Sequence, residues 1–313
     1  MADFLTHILL SDEVLERIES RRVLEGIQKH RSLYRLGAQG PDPLFFYNIF
    51  PGGGKGQFRE LARDMHNKRT GDFLKLGFSR LQNLSWEQDW MELAAYLSGF
   101  VCHFTLDRLI HPYVLWAEKN WIWSADGLPV STTHQAVETM LDVLFWKEKR
   151  MSPACRIRTR KLIDIGKNWP ASVEGFLLEA FESIYNVRTD RKGLSRVLRD
   201  YYRGHDLLYD PRGWKKAVVR WLDSFTGGGI KPPKEPYPAM PDETVDWANR
   251  KRRTWEHPFI KDEKHRESVD EILGRASFEA ANHINGIFAA IRRGEPIDGF
   301  FTNIGYYTGL PCD

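Results

Sequence analysis

Nine residues from Ala94 to Cys102 are almost all apolar, and directly behind them His103, Asp107 and His111 recur at every fourth position. Residues four apart share one face of a helix. The segment therefore predicts a buried helix with two imidazoles and a carboxylate in one stripe. A buried, unpaired charge is costly, so the surroundings must compensate Asp107. A hydrogen-bonded His–Asp core network is one solution, and metal coordination is the other.

Spacing says how many ions such a stripe suits. At a rise of about 1.5 Å per residue, His103 and His111 stand about 12 Å apart along the axis. A zinc–nitrogen bond is only about 2 Å long. Two adjacent ions with Asp107 between them fit better than one. A second pair, His134-x-x-x-Glu138, again places an imidazole and a carboxylate on one helical face. It follows a loop, so its helix can run antiparallel to the first and present its ligands across the same space. Three single residues can complete the shells: His7 in the apolar segment Phe4–Leu9, Asp42 in the rigid stretch Gly40-Pro41-Asp42-Pro43, and His66. Alone, each reads more simply as a core histidine, a cap or a turn residue. Together they offer imidazole and carboxylate without thiolate, a set that suits zinc. The three cysteines are scattered, with no CxxC pair, which argues against both a disulfide framework and a cysteine-ligated metal.

The rest of the chain reads as packed helices. Apolar periodicity predicts helices over about 11–30, 57–81, 85–111 with Pro112 as a kink or an end, 134–149 capped by Thr132 or Thr133, three or four between 153 and 225, and a long last helix over 264–293 ended by Gly294. Residues 36–56 read as loop, with one helical turn around Phe45, Phe46 and Tyr47. Gly52-Gly53-Gly54-Lys55-Gly56 lacks the spacing and the preceding strand of a nucleotide loop. No strand alternation or internal repeat is evident. The expectation is one all-α domain over 1–230, a helical bundle with a metal cluster between its helices. Residues 231–313, a Pro-rich linker, the long helix and an aromatic tail, pack on the same domain.

Composition limits the partners. A net charge of +3 over 313 residues is too small for a dedicated nucleic-acid binder, so no stable nucleic-acid partner is expected. Two basic runs, Lys147–Arg150 and Arg250–Arg253, read as solvated faces, or as places for transient contact with a phosphate-bearing substrate or a membrane surface. Of the histidines outside the metal set, His30, His205, His257 and His265 read as surface residues and His283 as structural. The N-terminus lacks a signal-peptide pattern and no apolar stretch reaches membrane-span length, so the expected location is the cytoplasm.

The order His7, Gly40-Pro41-Asp42, His66, His103-x-x-x-Asp107-x-x-x-His111-Pro112, His134-x-x-x-Glu138 resembles the bacterial zinc-dependent phospholipase C family, which is akin in fold to the single-strand-specific zinc nucleases. The resemblance covers roughly the first 150 residues. It implies an all-α fold holding two or three Zn²⁺. Asp42, His66, His103 and Asp107 would take one ion and His111, His134 and Glu138 a second. His7 would take a third with a bridging Asp107. Asp42 would also serve as general base. The substrate implied is a phosphate ester, a phospholipid first, with a nuclease-like diesterase or a structural zinc protein as alternatives. Where the secreted enzymes carry an aromatic choline contact after the aspartate, this chain has Pro43, so choline specificity does not carry over. Phe45, Phe46 or Tyr47 would supply the substrate contact instead.

Overall fold

The computed structural model describes residues 4–48, 56–120, 122–124, 127–215 and 236–313. Among these the architecture is all-α. The helices are α1 (Phe4–Leu15), α2 (Arg21–Lys29), α3 (Arg31–Gly37), α4 (Gln57–Asn67), α5 (Thr70–Gln82), α6 (Glu87–Asn120), α7 (His134–Arg150), α8 (Arg160–Ile163), α9 (Ala171–Ser183), α10 (Arg191–Leu208) and α11 (Val269–Arg293). A 3-10 turn spans Asp42–Phe46. The two small antiparallel ribbons are Ile122–Trp123 with Pro129–Val130 and Trp255–Glu256 with Lys264–His265. No described helix is long and apolar enough to cross a membrane.

Helix α6 is the axis of the molecule, and α1, α2, α3, α5, α7, α9 and α11 all pack on it. The stretch Leu93–Val101 is buried throughout, and Ala94, Ala95, Leu97 and Cys102 have no exposed surface. Small residues set how closely α3 approaches. A Cβ on Gly37 would lie 2.1 Å from the Tyr96 carbonyl oxygen, and one on Gly99 would lie 2.0 Å from that of Tyr34. Backbone therefore packs on backbone here. That close approach delivers the next residues, Gly40 to Asp42, onto the polar stripe of α6.

Helix α1 is held from its N-terminal end. The Asp142 carboxylate on α7 accepts from the Leu5 and Thr6 amides at 3.1 and 2.6 Å and from the Thr6 hydroxyl at 2.8 Å. A carboxylate at this end satisfies otherwise orphaned N–H groups and suits the helix dipole. The residue it fixes next is His7.

Several boundaries differ from the periodicity reading, each for a local reason. The first helix begins at Phe4 rather than Ser11, and the stretch expected to run to His30 divides at Ile18–Ser20, where Ser20 caps α2. The stretch 57–81 breaks at Lys68–Arg69, where Arg69 adopts a left-handed φ of 51°. Pro112 lies within α6 and does not end it. Proline cannot bond the carbonyl four residues back, and here that carbonyl, Arg108 O, faces Gly309 of the tail, whose Cβ would stand 2.7 Å away. The last helix begins at Val269, behind a capping box made by Ser268 and Glu271, while Lys264 and His265 belong to a ribbon. His205 is buried, not at the surface, with Thr159 Oγ1 2.8 Å from its Nδ1. Thr133 caps α7 as expected, and Gly294 ends α11. The glycine run before Gln57, the helix expected up to Phe225, the glycines at 227–229 and the first half of the Pro-rich linker lie wholly or largely outside the described residues.

Candidate metal centre

Seven of the eight candidate ligands are buried, His7, His103 and Asp107 completely, and they come from five elements. His7 lies on α1, Asp42 on the 3-10 turn, His66 in the last turn of α4, His103, Asp107 and His111 on α6, and His134 and Glu138 on the first turns of α7. His134 keeps 18% of its side chain exposed, so this end of the cluster faces outward.

Asp107 is the hub. Its Oδ1 lies 3.1 Å from His7 Nε2, and its Oδ2 lies 3.2 Å from His103 Nε2, 3.7 Å from His111 Nδ1 and 3.8 Å from His66 Nε2. Asp42 Oδ1 is 3.3 Å from His66 Nε2. At the outer end His134 Nε2 is 2.7 Å from Glu138 Oε1, and His111 Nε2 is 3.6 Å from the same oxygen. Three groups have ligand atoms within 4.8 Å of one another: His7, His103 and Asp107; Asp42, His66 and His103; and His111, His134 and Glu138.

These are not ordinary ion pairs. Both ring nitrogens of His7 and His103, both oxygens of Asp107, Asp42 Oδ1 and His111 Nε2 are buried without a hydrogen-bond partner. Buried polar atoms are nearly always satisfied. Two ligands of one tetrahedral zinc, each about 2 Å from it, stand a little over about 3 Å apart. The separations around Asp107 and Asp42 match that spacing, so their atoms converge on shared centres without pointing along each other's N–H bonds. The residues fit zinc.

The outer partners fix which nitrogen is offered. His66 Nδ1 is 2.7 Å from the Ala62 carbonyl, and His111 Nδ1 lies 3.1 and 3.2 Å from the carbonyls of Asp107 and Tyr306. In each ring Nδ1–H donates to backbone, leaving Nε2 available to ligate, the arrangement common at metal-binding histidines. Burial pushes the His103 imidazole below its ordinary value, which keeps it neutral and able to ligate. Burial pushes the Asp107 carboxyl up, but His103 and His111 outweigh it and hold the group well below the carboxylate range. Asp42 behaves alike: burial raises it, and His66 and His103 more than reverse this.

The match with known proteins agrees with this donor set. The model of the zinc-dependent phospholipase C family matches residues 6–187, more than half of the chain, a span that contains all eight candidate ligands. The chain belongs to this family. No curated protein and no solved structure matches it significantly. As in the family match, the candidate metal centre falls entirely within residues 6–187.

Two residues that sequence reasoning did not place at the centre lie beyond that span. Tyr306 packs edge-on to His66 and His103, at ring-centroid distances of 5.2 and 5.6 Å. Tyr307 stacks on His66 at 5.3 Å and tilts over His111 at 4.9 Å. The Tyr306 amide donates to the His66 carbonyl at 2.7 Å. Through these contacts Tyr306 and Tyr307 lie against the candidate ligands His66, His103 and His111. The three aromatics after Asp42 divide. Phe45 lies against His66 at 5.6 Å, and Tyr47 packs on Phe58. Phe46 is buried against Tyr201 and His205, so it belongs to the core and is not free to contact substrate.

Gly40 is where sequence and site meet most tightly. Its φ is +52°, and a Cβ there would fall 2.1 Å from His103 Cδ2. Gly40→Ala combines an unfavourable left-handed backbone with overpacking, together about 2–4 kcal/mol. The expected result is a lower urea midpoint together with reduced zinc content, because the clash falls on a candidate ligand. A variant with full zinc content and an unchanged midpoint would contradict this placement of His103.

Proposed function

We propose that the protein hydrolyses a phosphodiester, most simply that of a phospholipid, with two well-ligated zinc ions and a third held more weakly. The observation that carries this reading is the convergence of orphaned buried imidazole and carboxylate atoms on Asp107. His103 Nε2 can serve only one ion. With Asp42, His66 and one Asp107 oxygen it would hold one ion, and His111, His134 and Glu138 would hold a second. His7 and the other Asp107 oxygen are left for a third ion, with too few protein ligands to close its shell. An incomplete shell keeps positions open for water and substrate, unlike a purely structural zinc.

Zinc held here supplies Lewis acidity toward phosphoryl oxygens and makes water available as a nucleophile near neutral pH. The chain's own part is orientation. Asp42, ionised and fixed on its rigid turn, accepts a hydrogen bond from the attacking water and receives its proton. Phe45, against His66, flanks the substrate, and Tyr47 lies further out on the same segment. The test is elemental analysis of the purified protein, followed by a panel of phospholipids, dinucleotides and phosphomonoesters. Two or more zinc per chain with preferential turnover of phospholipid supports the reading. Zinc-free protein refutes the metal centre, and preferential turnover of dinucleotides assigns the centre to nucleic acid chemistry.

A further inference from the structure

The two basic runs conspicuous in the sequence are largely neutralised. Lys149 and Arg150 pair with Glu13 and Asp12, Arg250 with Glu148 and Asp270, and Arg252 with Glu271. Positive charge gathers elsewhere, in a groove of about 880 Å³ lined by Arg160, Lys167, Lys192, Arg196, Arg199 and Arg203. Four of these lie on α10 at intervals of three and four residues, which makes one face of the helix basic. Asp164 is the one carboxylate in the lining. Asp200 lies beneath the stripe, 3.6–4.0 Å from Arg196, Arg199 and Arg203, and Asp206 pairs with Arg160. Six cations face three carboxylates, so a positive surplus remains.

We propose that this face of α10 docks the protein on an anionic phospholipid surface. The proposal rests on the phospholipid reading of the active site and adds where the bilayer meets the molecule. Arg196, Arg199 and Arg203 are 46%, 53% and 60% exposed. They form an open, solvated stripe, not an enclosed pocket for a small anion. At the C-terminal end of α10 stand Leu207 and Trp214, each 58% exposed. Lys215 donates to the carbonyls of Asp206, Leu207 and Tyr209, which ties the Trp214 turn to that end. Cations beside an exposed tryptophan and leucine suit the headgroup–acyl boundary. The stripe is also joined to the rim of the metal centre. The Arg196 guanidinium lies 5.4 Å over the Tyr47 ring, and the Asn48 amide donates to Asp200 at 3.1 Å. Both residues directly follow the turn that carries Asp42 and Phe45.

The zinc-loaded full-length protein is tested by co-sedimentation with vesicles of phosphatidylcholine, alone and mixed with phosphatidylserine, and with a DNA oligonucleotide as competitor. Binding is expected only to the mixed vesicles, and 1 M salt, where the Debye length is about 3 Å, should abolish it. At roughly a fivefold contribution per cation near the surface, K167E/K192E/R203E should bind on the order of a hundredfold more weakly. Turnover of a monomeric short-chain phospholipid, together with an unchanged melting temperature, shows that this variant remains folded. Equal binding to both vesicle types, undiminished binding by the variant, or capture by DNA in place of vesicles overturns the proposal. The two readings fail separately. Binding to mixed vesicles without phospholipid turnover refutes the substrate and leaves the docking face. Turnover of the monomeric substrate without vesicle binding refutes the docking face alone.

Discussion

Asp107→Asn is expected to lose most of its zinc and to reduce phosphodiester hydrolysis by about a thousandfold or more, since metal stabilisation of the transition state is worth several kcal/mol and each 1.36 kcal/mol is about tenfold in rate. The substitution keeps the shape of the side chain and removes only the charge and one acceptor oxygen. Both oxygens matter here, because Oδ1 faces His7 and Oδ2 faces His103 and His111. The stability of the variant separates metal ligation from a hydrogen-bonded core network. With zinc present, wild type should be the more stable, because its carboxylate is compensated. With chelator present the order should reverse or close, because the wild type then retains a buried carboxylate among atoms that lack hydrogen-bond partners, and removing such a charge is often neutral or stabilising. Unfolding curves of both proteins with and without chelator give the four values. If the variant is equally destabilised in both conditions, Asp107 acts as a structural hydrogen-bond acceptor and not as a metal ligand.

What sequence could and could not reveal follows from distance along the chain. His103, Asp107 and His111 are legible because helical geometry alone aligns them, and His134 and Glu138 for the same reason. His7, Asp42 and His66 have no periodic signature. Only their order in the chain, through the family resemblance, marks them, since His7 reaches Asp107 across 100 residues. Tyr306 lies 195 residues from His111, whose Nδ1 faces its carbonyl, and no local pattern announces such a contact. The errors in helix boundaries have the same origin. Periodicity does not register a left-handed residue such as Arg69, and the tail glycine that lies over Arg108 O beside Pro112 is invisible to a reading of α6 alone. His205 read as a surface residue because Arg203 and Asp206 flank it, yet α10 turns its ring inward onto Phe46 and Tyr201.

Chelation should lower the melting temperature of the wild type by about 15 °C. A site held a thousandfold above its dissociation constant adds about 4 kcal/mol. Two such sites add about 8 kcal/mol, and a chain of this size shifts by about 2 °C per kcal/mol. The metal-free centre explains why the shift is large: Asp42, Asp107 and Glu138 are held beside His7, His66, His103 and His111, all at most 4% exposed. Without a cation, these buried carboxylates lose the positive charge that offsets their desolvation. The sign of the pH dependence follows. Imidazoles must shed protons to bind metal, and although burial lowers His111, Asp107 and Glu138 outweigh it and raise that group above its ordinary value. The increment added by zinc should therefore be full in mildly alkaline buffer and shrink as pH falls through and below the ordinary histidine value of about 6.5. Melting curves recorded with zinc and with chelator across that range should converge toward acid pH. Curves that coincide at every pH would mean that no ion contributes to the stability of this core, and the His–Asp stripe would then be a polar network packed for its own sake.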